Sequence, residues 1–170
     1  YSVADTEKQT AVDEEAITPA DEAALRNKQS TGSTSKTDSE DILPPEAQMF
    51  RYREKQQHFV VIVVDDKKIR ATDLQYKLSD YNAQYFSNSG YKVNALMFTD
   101  STQMLTVHRF VDAAEAMEYW QTLQQAESPL KSYEPSDYYV YPFSTQNYNT
   151  FYKRKNIDAY KMFFERYYIK

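Results

Sequence analysis

Cysteine is absent from all 170 residues, and glycine occurs only as Gly32 and Gly90. The first absence removes disulfide frameworks, thiol nucleophiles and Cys-based zinc sites, and is compatible with an oxidising compartment. The second removes any glycine-rich loop able to cradle a phosphate, so nucleotide chemistry is not expected. Histidine is limited to His58 and His108, with no carboxylate at ligand spacing beside either, and no Ser/His/Asp arrangement can be drawn from local context. No apolar run approaches the ~18 residues needed to cross a bilayer. The longest, Phe59 to Val64, has the length and β-branching of a strand. Neither Met nor a basic-then-apolar leader opens the chain at Tyr1, which reads as a fragment or processed product.

What is present is unevenly distributed. From Tyr1 to Leu43 the only aromatic is Tyr1, and Ser30 to Ser39 is a low-complexity run of Ser, Thr, Gly, Lys and Asp. Such a segment cannot bury enough apolar surface to offset an ordering cost of about 1–2 kcal/mol per residue. Residues 1–45 are therefore expected to form a disordered acidic linker, with ten acids against four bases. Residues 46–170 hold fifteen acids and sixteen bases, so the acidity of the whole chain, pI ≈ 5.1, says little about the folded part's partners. A flexible chain of that length would reach roughly 5–6 Å times the square root of its residue number, several tens of ångströms.

After Pro44-Pro45, residues 46–57 read as a short helix or ordered lead-in, with Met49, Phe50 and Tyr52 available to dock. His58 to Asp65 is apolar in both alternating sets, the mark of a central strand covered on both faces. Leu74, Leu78, Tyr81 and Tyr85 stripe a helix over Thr72 to Phe86, stopped by Asn88-Ser-Gly90. Tyr91 to Phe98 and Met104 to Phe110 read as a hairpin. Asp112 is placed to cap a second helix, with Ala113, Ala116, Met117, Trp120 and Leu123 inward and an end near Glu127-Ser-Pro129. Tyr138 to Phe143 is a fourth strand. Ser144 or Thr145 can cap a short helix carrying Tyr148, Phe151 and Tyr152, and a last helix starts at Asn156. The order βαββαβ plus two helices predicts, over 58–170, an α+β ferredoxin-like sandwich in which the first and third strands are central and the C-terminal helices can cover the second sheet face.

Candidate chemistry is sparse. His58 and His108 both fall on central strands, so a metal or acid/base pair is conceivable, but a hydrogen-bonded structural role is the commoner fate of such residues. Asp65-Asp66 followed by Lys67-Lys68 is the composition of a solvated turn. Asn82, in a tyrosine-rich stretch, is placed to fix a helix contact. No catalytic, cofactor-binding or metal residue is assigned, and an enzyme is not expected. Lys153 to Lys170 carries six bases against two acids, interleaved with Tyr160, Phe163, Phe164, Tyr167 and Tyr168. Strand three, Met104 to Arg109, lacks the stacking aromatics of RNA-recognition modules, so nucleic acid is not expected. Those five aromatics are instead the candidate surface for a protein partner, since Tyr and Arg are enriched in interface cores; the alternative is that they are the domain's own core.

The landmarks His58 to Val64, Leu78-Ser-Asp-Tyr-Asn82, Val107-His-Arg-Phe110 with Ala116 and Tyr119, Asn147 to Phe151, Ile157-Asp-Ala-Tyr160, and Phe163-Phe164 with Tyr167 follow one another in an order of their own. Together they resemble the C-terminal domain of the tetratricopeptide-repeat lipoproteins of Bacteroidota, of the SprE/PorW type, linked to gliding motility and type IX secretion. The resemblance runs from about His58 to Tyr168. It implies a periplasmic domain held at the outer membrane, downstream of helical repeats, in a machine for protein transport. No repeat of about 34 residues is visible here, which makes the chain a C-terminal piece or a shorter relative. The expected function is a non-catalytic scaffold domain binding protein partners of a cell-envelope secretion or motility complex. The alternative is an ACT-like small-molecule sensor, a common use of ferredoxin-like domains.

Overall fold

In the computed structural model, residues 42–170 are described. The acidic linker expected over 1–45 lies outside the described residues except for its last four. The chain enters through turns: the Pro44 carbonyl accepts from Ala47 and Gln48 N–H at 2.9 and 3.2 Å. The lead-in is ordered but not helical, held by the side chains it docks. Phe50 is 2% exposed and meets the Tyr160 ring edge-on with centroids 4.9 Å apart. Asn147 clamps Arg51 from both sides, its Oδ1 accepting from the Arg51 N–H at 3.0 Å and its Nδ2 donating to the Arg51 carbonyl at 2.8 Å.

The elements that follow are β1 (His58–Asp65), α1 (Ala71–Tyr85), β2 (Lys92–Met97), β3 (Thr102–Phe110), α2 (Ala113–Thr122), β4 (Tyr138–Ser144), α3 (Thr145–Arg154) and α4 (Ile157–Tyr167). The class is mixed α+β: among the described residues, one antiparallel sheet of order β2-β3-β1-β4 and four α-helices. β1 and β3 are central.

Because side chains alternate across a strand, β1 feeds two cores. Val60, Ile62 and Val64 join Leu105 and Val107 of β3 under Leu74 and Leu78 of α1 and Ala116 and Tyr119 of α2. Val61 and Val63 join Met104 and Phe143 under Phe151 of α3 and Tyr160, Phe163 and Phe164 of α4. Asp112 and Ser144 cap their helices as expected, and Asn156, the expected start of the last helix, caps it too. Asp112 Oδ1 accepts from Glu115 N–H, Ser144 Oγ from Asn147 N–H and Asn156 Oδ1 from Ala159 N–H, at 3.0, 3.2 and 3.0 Å.

Three local expectations change. α2 ends at Thr122 rather than near Pro129; the chain turns after Leu123, and Pro129–Ser132 forms a separate 3-10 turn capped by Ser128. Tyr119, outside the predicted stripe, is 1% exposed, with its hydroxyl donating to Asn82 Oδ1 at 2.7 Å. Tyr85, inside its predicted stripe, is half exposed as the last residue of α1.

Candidate functional site

The aromatic surface expected at the C-terminus is mostly interior. Tyr160, Phe163, Phe164 and Tyr168 are 0, 0, 2 and 8% exposed, while Tyr167 is 41% exposed. Phe143 stacks on Tyr160 at 3.7 Å, Trp120 and Tyr141 flank Phe164, and the Tyr160 hydroxyl donates to the Pro142 carbonyl. These four rings are this domain's own core, because the second face of an all-apolar β1 has to be covered and α4 covers it. Of the five, only Tyr167 is left for a partner to meet.

The histidines go to different surroundings. His58 is fully buried: Nδ1 donates to the Gln56 carbonyl at 2.6 Å, and Nε2 accepts from the Tyr168 hydroxyl at 2.8 Å. Burial disfavours its charged form and lowers its pKa, against smaller opposing effects of that carbonyl and of Asp112. His108 lies on the solvent side, where Asn94 Nδ2 donates to its Nε2 at 2.9 Å and so leaves Nδ1 as the protonated nitrogen of a neutral ring. Partial burial lowers its pKa too, with the positive charges of Arg109 and Lys92 adding to the effect. An imidazole poised for general-base work is oriented by a carboxylate or carbonyl; His108 is oriented by an amide. Among the described residues no group of three His, Asp or Glu side chains is placed to hold a metal ion. Asp65 and Asp66 serve the turn: Asp65 Oδ1 accepts from Lys67 N–H at 2.9 Å, and Asp66 Oδ1 from the Gln103 amide at 2.6 Å.

An open groove of about 500 Å³ lies on the face of the sheet that carries α3, between the first turn of that helix and β2. Its apolar surface comes from Phe59, Leu96 and Tyr148, and its polar surface from Asn94, Thr106 and His108, with Arg109 at one end. Phe59 packs against both the Tyr148 and His108 rings, with centroids 5.1 and 6.1 Å apart. The groove is shaped by a β-bulge. His58 pairs with Phe110 but Val60 pairs with Val107, so β3 spends one extra residue between them and carries His108 and Arg109 toward solvent.

No family model, curated protein or solved structure matches this chain. The site therefore has to be read from its own chemistry. Apart from His108, the sequence reading singled out none of the groove residues as a site, because they come from β1, β2, β3 and α3 and no local pattern joins them. One signal was there: Leu105 and Val107 are two apart, but the next inward residue, Phe110, is three further on. That break in a period of two marks the bulge.

Proposed function

We propose that residues 42–170 form a non-catalytic protein-interaction domain, and that its setting is the one the resemblance implies: the periplasmic, outer-membrane-associated part of a type IX secretion or gliding-motility apparatus. The observation that carries the interaction reading is the groove. The helical covers of the sheet are sealed by the domain's own aromatics, while Phe59, Leu96 and Tyr148 keep apolar surface open beside an edge strand and beside two cations with no carboxylate among the lining residues. Apolar anchors rimmed by polar and basic groups are what protein interfaces use. The strand order β2-β3-β1-β4, with α1 and α2 together on one face, supports reading the frame as ferredoxin-like. The expected proteins are partners in a cell-envelope complex, and nucleic acid is not among them.

One observation favours a second reading, the ACT-like sensor: the groove volume falls in the range of small-ligand sites. Affinity capture from cell-envelope extract with the immobilised full chain, paired with a thermal-shift panel of amino acids and nucleotides, separates the two. Recovery of secretion or motility components with a flat panel supports the scaffold. A specific shift of several degrees with no such components overturns it in favour of the sensor.

A further inference from the structure

β2 has one row of backbone groups unspent. The Val93 carbonyl accepts from the Gln75 amide of α1 at 2.8 Å, so it points away from β3, whereas Phe98 N–H donates inward to the Thr102 carbonyl at 3.0 Å. Backbone groups alternate sides along an antiparallel strand, which turns the N–H and C=O of Ala95 and Met97 outward. Neither residue has a partner on that side among the described residues. On the groove side of the same strand stand Lys92, Asn94 and Leu96. Near Lys92 the bulge brings Arg109 to line a hollow of about 290 Å³ with Ser89, Gly90 and His108. Neither Lys92 nor Arg109 makes an ion pair with a described residue, and the lining of the groove and the hollow contains no Asp or Glu.

An unpaired edge is a template for a further strand. Addition of a strand draws affinity from main-chain hydrogen bonds and selectivity from whatever meets the alternate side chains. Here those are an apolar wall and an uncompensated pair of cations. We infer that the outer edge of β2 takes an extended segment of a partner protein that carries an acidic side chain, the carboxylate meeting Lys92 and Arg109 and the apolar side chains lying toward Leu96, Phe59 and Tyr148. Charge complementarity selects the occupant: a neutral or basic strand would leave the two cations without a counter-charge. A segment of about seven residues covers the strand at roughly 3.3 Å per residue.

This inference rests on the interaction reading above and names its surface. The probes are a capped heptapeptide, TVTETVT, whose Glu and two Val side chains share one face of the strand, and its counterpart TVTKTVT, titrated into the isotope-labelled full chain and followed by amide NMR. The Glu peptide is expected to shift the Ala95 and Met97 signals and slow their exchange, binding about ten-fold more tightly than the Lys peptide at low salt, with the gap closing as charges are screened near 0.5 M salt. Ala95→Pro removes only an outward N–H, so it keeps the pairing with β3; it is expected to abolish peptide binding without moving the thermal midpoint by more than a few degrees. Lys92→Glu with Arg109→Glu is expected to reverse the peptide preference. No shift at Ala95 and Met97, equal binding of both peptides, or perturbations confined to the helices overturns the inference. So does self-pairing through β2 that excludes the peptide. If the peptides fail while capture of envelope components survives Ala95→Pro, the interaction reading stands and only its surface is wrong; if the peptides bind and capture fails, the envelope setting is what falls.

Discussion

His58 shows how a polar residue is kept inside an apolar strand. In the neutral ring Nδ1 donates to the Gln56 carbonyl and Nε2 accepts from the Tyr168 hydroxyl, so both nitrogens are satisfied without the charge that burial disfavours. Its folded pKa lies below the ordinary value of about 6.5. As pH falls below that value the unfolded chain binds a proton that the folded one resists, so stability is complete above about pH 6.5 and declines as pH drops toward the folded pKa. Thermal midpoints measured from pH 7 to pH 5 are expected to fall, and His58→Gln to flatten the slope; His108→Gln, at a ring more open to solvent, should leave most of it. The C-terminal aromatics divide just as sharply. Phe163→Ala is expected to cost about 3–5 kcal/mol by denaturant unfolding, whereas Tyr167→Ala, at a side chain 41% exposed, should cost under about 1 kcal/mol. Asn82 is less well served: Oδ1 takes the Tyr119 hydroxyl, but Nδ2 is buried with no partner, and no compensating contact explains it.

Among the elements, those set by short-range chemistry were legible. Apolar residues in both alternating sets of His58 to Asp65 require cover on both faces, and β1 has it. Asp112 and Asn156 sit where a side-chain oxygen can reach an N–H three residues on, and both do; of the two candidates at 144 and 145, it is Ser144 that caps. Ser144→Ala and Asn156→Ala are each expected to lower stability by about 1 kcal/mol in denaturant titration. What was not legible depends on contacts distant in sequence. An amphipathic stripe says which side of a helix must be buried, not against what, so Tyr160, Phe163, Phe164 and Tyr168 read equally well as core or as docking surface until β1, β4 and the lead-in are brought beneath them. Tyr119 is inward because Asn82, 37 positions earlier, receives its hydroxyl. The groove belongs to the same class, assembled from four elements around a bulge that only a break in strand periodicity betrays.

For the folded unit as a whole, the two apolar faces of the sheet are treated unequally. Beneath α1 and α2 the cover spans β2 to β4, with Val93 and Val140 both in that core. Beneath α3 and α4 it falls short, leaving Asn94 exposed and Leu96 half-buried on β2. Phe59, Leu96 and Tyr148 stay half-buried beside Lys92 and Arg109; on the proposed reading, that surface is completed by another protein. The most direct test is photo-crosslinking in the native cell envelope, with a benzoylphenylalanine placed at Asn94 in the groove and, as a control, at Tyr76, which is 68% exposed on α1. The groove is expected to give a discrete crosslinked product that Ala95→Pro removes, with none from Tyr76. No product from Asn94, or the same product from both positions, would contradict an interaction domain that works through this groove.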